Sequence, residues 1–307
     1  MTRITRMTRM TRMTRIIIII IIALLFISIF LYYYSLTPIV KQRVPTLEDL
    51  ISLNNYNKSL DESRVAFVTG CNSHYFEHWL RLYESIKKNV YNPTIYFFDL
   101  GISDNEKSIL NLIDVNYNVF NFNLYPDWVN IKNDAGQWAW KAQCIKEVMD
   151  KCYMYNKIKY LIWCDTRNIL DNNLKNLFNF LDTNGIYTNT TQGNVSKWTV
   201  NGTIEYFEKF EGLNVKKYLK YSMKNAALPC FNISIEWVRE FINEFSRLSL
   251  IKDCIFPSGS SRFNHRQDQS ILTILYYKYK DIYKFQNSKE YEGIRVHTSS
   301  IKKLYKG

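Results

Sequence analysis

The sequence is poor in the residues that build turns, cross-links and metal cages. Its 307 residues include 10 glycines, 6 prolines, 6 cysteines and 4 histidines. Beside 47% hydrophobic and 16% aromatic residues, this excludes a collagen-like, disordered or multi-span membrane protein as the main body. The cysteines form no CxxC pair and are too sparse for a disulfide scaffold, although their even number permits disulfides. Without CxxC or HExxH a zinc centre is not expected. Walker A, GxGxxG and GxSxG motifs are also missing. Acidic residues are absent from positions 1–43, which carry seven Lys or Arg. That stretch accounts for most of the net charge of +12 and leaves +5 for the remainder. The remainder is ordinary for a soluble domain, so a nucleic-acid partner is not expected.

What is present begins with a membrane-anchor pattern. Residues 1–15 are a strict three-residue repeat with five arginines, and an uncharged apolar run, Ile16–Tyr34, follows. Nineteen helical residues span roughly 28 Å, close to the hydrocarbon thickness of a bilayer. Tyr32, Tyr33 and Tyr34 fall where an aromatic belt lies. The positive-inside rule puts the arginines in the cytoplasm and the rest of the chain in the lumen, a type II arrangement. A cleaved signal peptide is the alternative; the run is long for one and no A-x-A site follows. Sequons at Asn57, Asn189, Asn194, Asn201 and Asn232 fit lumenal exposure. The expected division is a tail (1–15), an anchor (16–34), a Pro-broken stem (35–62) and one folded domain (63–307).

Within that domain the pattern alternates between strand and helix. Arg64–Thr69, Thr94–Asp99, Asn118–Asn123 and Lys159–Cys164 read as strands. Tyr75–Lys88, a capped segment from Ser103 to about Ile113, Trp138–Met154 and Asn173–Leu181 read as helices. This order predicts an α/β fold with a mostly parallel sheet, covered on both faces. Ligands bind such sheets at the carboxyl ends of the strands, where Gly70, Asp99 and Asp165 stand. Farther on, Tyr187–Trp198 reads as a polar active-site loop. Asn232–Leu248 and His265–Tyr279 read as helices, and Pro257–Phe263 as a loop.

Four features can carry chemistry. Asp165 ends a buried strand, where a carboxylate needs a partner: a metal, a diphosphate, a sugar hydroxyl, or the N-terminus of a following helix. His265-Arg-Gln-Asp-Gln269 opens a helix, so Asp268 is either a cap or a base that accepts a substrate proton. In Gln137-Trp-Ala-Trp-Lys141, the lysine either contacts phosphate or reaches out of an aromatic cluster. His297 lies near the C-terminus with Lys302 and Lys303 just beyond it.

Taken together, Trp140-Lys141, the IWCD strand end, Lys197-Trp-Thr199, the Asp253–Gly259 stretch and His265–Ser270 resemble the GT-A class of nucleotide-sugar glycosyltransferases. Within it they resemble a family of transferases that carries a Trp-Lys helix, a strand-end Asp and an HRxDQS motif. The resemblance covers roughly residues 64–303. It implies a Rossmann-like fold, a nucleoside-diphosphate-sugar donor and a glycan or glycoprotein acceptor. The class holds Mn²⁺ or Mg²⁺ with D-x-D; here Asp165-Thr166-Arg167 has arginine in place of the second acid. His297-x-x-Ser300-x-x-Lys303 loosely matches a C-terminal H-x-x-G-x-x-K, which implies a metal ligand at His297 and a diphosphate contact at Lys303. On this reading Asp268 is the base and His265 supports it. Trp140, Lys141, Thr166, Arg167, Gln269 and Lys303 bind the donor, and Asp165 and His297 are the metal candidates. A lone carboxylate serves a hard cation poorly, so Lys141 or Arg167 is the alternative source of positive charge for the leaving diphosphate. A sugar- or nucleotide-binding pseudoenzyme, lectin-like and membrane-tethered, fits the same features.

Overall fold

The computed structural model describes residues 44–54, 64–155, 158–287 and 293–297. The expected tail, the 16–34 anchor, Asn57 and Lys303 lie outside them. Among the described residues, no helix is long and apolar enough to cross a membrane. The stretch read as stem contains a helix, α1 (Leu47–Asn54). Leu50 and Leu53 of α1 are buried, and Leu50 belongs to the domain core. Eight residues are too few to show a helical period against the flanking polar sequence, so this helix was illegible.

The chain then alternates in the expected order through β1 (Val65–Cys71), α2 (Phe76–Asn89), β2 (Thr94–Asp99), α3 (Asp104–Leu110), β3 (Asn116–Val119), α4 (Ala139–Tyr155) and β4 (Tyr160–Trp163), although β3 lies earlier than the expected Asn118–Asn123 and a turn begins at Phe122. The second half carries β5 (Ile169–Leu170), α5 (Lys175–Asn184), β6 (Ile186–Tyr187), β7 (Thr190–Asn194), α6 (Val195–Trp198), α7 (Asn201–Phe210), β8 (Ser222–Lys224) and β9 (Cys230–Asn232). It closes with α8 (Glu236–Ser249), α9 (Lys252–Ile255), α10 (Gln267–Tyr283) and β10 (Ile294–Arg295). The main sheet has the order β3-β2-β1-β4-β9-β6. β1, β2, β3 and β4 run parallel, and β9 is antiparallel to both of its neighbours.

Strand alternation explains how this sheet is buried on both sides. Ala66, Val68, Leu161 and Trp163 face one core with α4, α8 and α10. Val65, Phe67, Tyr160 and Ile162 face a second core with α1, α2 and α5. Every residue of β1 and β4 is therefore buried, which is why those strands read as continuous apolar runs. The Ser103–Glu106 capping box forms in both directions at the start of α3.

Three expectations change. Residues 187–198 hold the end of β6, then β7 and α6, with β7 paired to β8, and they do not line the cavity at the carboxyl edge of the sheet. Asn232 belongs to β9 rather than to a helix, and it is 2% exposed. That burial removes Asn232 as a glycosylation site in the folded chain, whereas Asn201 is exposed. All six cysteines are buried free thiols.

Candidate functional site

The carboxyl edge of the parallel strands opens into a cavity of about 390 Å³, a size typical of small-ligand sites. β1 contributes Gly70 and Cys71, the turn after β4 contributes Asp165, Thr166 and Arg167, and α4 contributes Trp140 and Lys141. α10 adds Asp268 and Gln269 from the opposite side. Asp99 also ends a strand, but its Oδ1 accepts from the Gly101 and Ile102 amides and its Oδ2 from the Tyr117 hydroxyl. It closes its own turn and does not line the cavity.

Lys141 stands at the centre. It is 3% exposed, and its Nζ lies 3.1 Å from Asp165 Oδ1 and 3.1 Å from Asp268 Oδ2. It also donates to the Ala226 carbonyl at 3.1 Å and sits 5.5 Å from the Trp163 ring centre. Burial pulls the lysine toward neutrality, but the two carboxylates outweigh it and raise its pKa above the ordinary value. Burial pushes Asp268 upward, Lys141 opposes that rise, and Asp165 adds to it. The sequence allowed Lys141 either a phosphate contact or a way out to solvent; in this structure it bridges two acids instead.

Asp165 is held by the strand that precedes it. The Trp163 indole Nε1 donates to Asp165 Oδ1 at 2.7 Å, so both contacts of this side chain fall on one oxygen. The side chain remains 28% exposed, within reach of a ligand. The helix-capping alternative fails, because a turn and β5 follow Asp165. Asp268 Oδ2 is buried, and apart from its ion pair with Lys141 it accepts no aligned hydrogen bond. It therefore keeps acceptor capacity for a hydroxyl in the cavity.

The segment that aims Lys141 is strained. Asp134, Ala135, Gly136, Gln137 and Trp138 all have φ between +47° and +60°, a left-handed turn directly before the right-handed α4. Such residues cost about 1–2 kcal/mol each outside glycine. A Cβ on Gly136 would lie 2.0 Å from the Val129 carbonyl oxygen, so only glycine fits. The Trp140 indole donates to the Ala135 carbonyl at 3.0 Å and locks the turn onto α4.

His265 is not part of this site. It is fully buried, with Nε2 2.8 Å from the Ile255 carbonyl and Nδ1 accepting from the Val200 amide at 3.4 Å. Burial lowers its pKa to about 4, so it is a neutral pin between α6, α9 and α10 rather than a support for Asp268. His297 does reach the cavity, with Nδ1 3.1 Å from Arg167 Nη2.

The donor set fits a divalent cation poorly. His297 turns a ring nitrogen to a guanidinium, and the Lys141 ammonium already sits against both carboxylates. Among the described residues, no three His, Cys, Asp or Glu side chains converge to hold a metal. The His74-x-x-x-His78 spacing on either side of the α2 start, passed over in the sequence, gathers no third ligand either. Cys71 lines the cavity, but burial and the nearby Glu106 and Asp99 hold its thiol well above the usual range. That disfavours the thiolate a nucleophile needs.

Arg262 and the Asn225–Ala227 loop, which the sequence did not single out, also border the cavity, as do Trp138 and Arg266 from the two motifs that it did. The signal for the arginines was available: they flank His265 within a stretch that contains no acid before Asp268.

A family profile described as a protein of unknown function (DUF1647) matches residues 41–145. No curated protein matches the sequence. Among solved structures the chain is similar to the apo form of WbbM, a bifunctional glycosyltransferase, with TM-score 0.43 and 16% identity over 72% of this chain. It spans 39% of the WbbM chain. It is similar to the galactosyltransferase LgtC in complex with donor and acceptor sugar analogs (TM-score 0.44, 13% identity, 76% of this chain and 87% of that one). It is also similar to core-mannan synthase A from Aspergillus fumigatus in its Mn/GDP form (TM-score 0.42, 10% identity, 76% of this chain and 74% of that one).

Proposed function

We propose that the chain is a glycosyltransferase that moves a sugar from a nucleoside-diphosphate donor to a hydroxyl of a glycan or glycoprotein. The observation that carries this reading is the Asp165–Lys141–Asp268 bridge at the carboxyl edge of the parallel strands. It places one reachable acid, one buried acid and a fixed cation in a single cavity. The loops after β1 and β4 receive the donor, with Asp165 against its sugar hydroxyls and Arg167 against its diphosphate. The acceptor hydroxyl oxygen attacks the anomeric carbon, and the bond from that carbon to the diphosphate oxygen breaks. The electron pair leaves with the diphosphate, whose charge Arg167 offsets, and the hydroxyl proton passes to Asp268. Lys141 opposes the pull of burial, which on balance still raises the pKa of Asp268.

The five arginines before residues 16–34 support a type II anchor with the domain in the secretory lumen. The test is release of nucleoside diphosphate from a panel of nucleotide sugars. Release that vanishes in Asp165→Ala and Asp268→Ala supports the reading. Release untouched by either substitution contradicts it. Saturable binding of nucleotide or glycan with no release from any donor favours the lectin-like alternative.

A further inference from the structure

Arg262 and Arg266 come from the loop that leads into α10, and both line the cavity on the side of Asp268. The Arg262 guanidinium lies 4.3 Å from the Trp138 ring centre, and its Nη1 donates to Gln267 Oε1 at 2.9 Å. The Arg266 guanidinium lies 3.6 Å from the Trp198 ring centre and donates to the carbonyls of Arg262 and His265. Neither forms an ion pair among the described residues. Burial and the repulsion of Arg262 lower the pKa of Arg266. Two cations held over indoles in one cavity wall, with no ion pair to a carboxylate among the described residues, form a preorganised pair of donors for an anion.

The position assigns the anion. In a parallel α/β sheet the donor diphosphate belongs to the loops after the strands, here Gly70–Asn72 and Asp165–Arg167. Arg262 and Arg266 lie outside those loops, next to the acid that takes the acceptor's proton. Two guanidinium groups in the cavity wall suit a sugar with an acidic substituent.

Building on the glycosyltransferase reading, we propose that Arg262 and Arg266 form an acceptor subsite for an anionic sugar, one that carries a carboxylate or sulfate near the hydroxyl to be glycosylated.

The test measures binding to the full-length chain by calorimetry. The probes are a glucuronate-terminated disaccharide, its neutral glucose counterpart, and UDP and GDP. The proposal expects the acidic disaccharide to bind at least tenfold tighter than the neutral one at low salt. Arg262→Gln and Arg266→Gln should each erase that preference while changing nucleoside-diphosphate binding less than twofold. Arg262→Lys, which keeps the charge but loses paired N–H donors, should retain part of the preference. Equal binding of acidic and neutral disaccharides overturns the proposal. So does an equal loss of UDP or GDP binding in the arginine variants, which would assign these residues to the donor. An arginine-dependent preference for the acidic sugar, in a chain that hydrolyses no nucleotide sugar, would keep the subsite and defeat the transferase reading.

Discussion

Asp165 and Asp268, far apart in the sequence, share one ammonium group: Lys141 Nζ lies 3.1 Å from an oxygen of each. One acid follows the central strand β4 and the other lies in the first turn of α10. The lysine that joins them comes from a third element, α4, so the site exists only when all three are docked. Removing the cation leaves two carboxylates to repel each other in a poorly solvated place.

That arrangement predicts the behaviour of Lys141→Met. Breaking a buried ion pair by deleting one partner typically costs about 3–5 kcal/mol. Urea unfolding should show a loss of that size, and adding Asp268→Asn should recover part of it. A Lys141→Met chain as stable as the parent would mean that the bridge contributes nothing to the fold.

The rate should also respond to pH through Asp268. Burial raises its folded pKa, so the base is ionised only above the ordinary aspartate range. Turnover should fall as pH drops through that raised value, and the acid limb should lie higher than a solvent-exposed aspartate would give. For stability the sign is reversed: a raised carboxylate pKa stabilises the folded chain below the unfolded value and loses that contribution as pH rises through the folded one. Asp268→Asn should abolish turnover and remove this stability trend together.

His265 gives the opposite stability trend. Its folded pKa is depressed to about 4, against 6.5 in the unfolded chain. Its contribution is complete above pH 6.5 and is lost as pH falls toward 4, by about 3 kcal/mol. The denaturation midpoint of the parent should drop through that window, and the drop should be shallower in His265→Gln.

Gly136→Ala tests the left-handed turn. The added methyl meets the Val129 carbonyl oxygen, so the turn must move and carry Trp138 and Lys141 with it. We expect a stability loss of about 1–3 kcal/mol and a larger fractional loss of turnover than of stability. Ala135→Gly, which relieves strain at a neighbouring positive φ, should be stable and active.

Much of this was legible in the sequence, for physical reasons. β1, β2 and β4 are covered on both faces, so their apolar runs stand out, and the Ser103 capping box is a local signal that needs no tertiary context. Asp165, Asp268 and Lys141 were singled out because polar groups at strand and helix ends must be satisfied. What failed was partnership. His265 and Asp268 are three residues apart, yet the histidine turns to the Ile255 carbonyl while the acid turns to Lys141. Short elements such as α1 and β9 carry too few residues to show a period. The left-handed turn before Trp138 has one glycine and no other local mark. Arg262 and Arg266 gain meaning only when the fold lays them on Trp138 and Trp198 beside the cavity.

The most direct measurement is nucleoside-diphosphate release from nucleotide sugars by the full-length chain and by Asp165→Ala, each with Mn²⁺ and with EDTA. The account predicts saturable release from at least one donor, a loss of 100-fold or more in Asp165→Ala, and persistence in EDTA because Arg167 supplies the charge. No release from any donor, or release unchanged by Asp165→Ala, would contradict it.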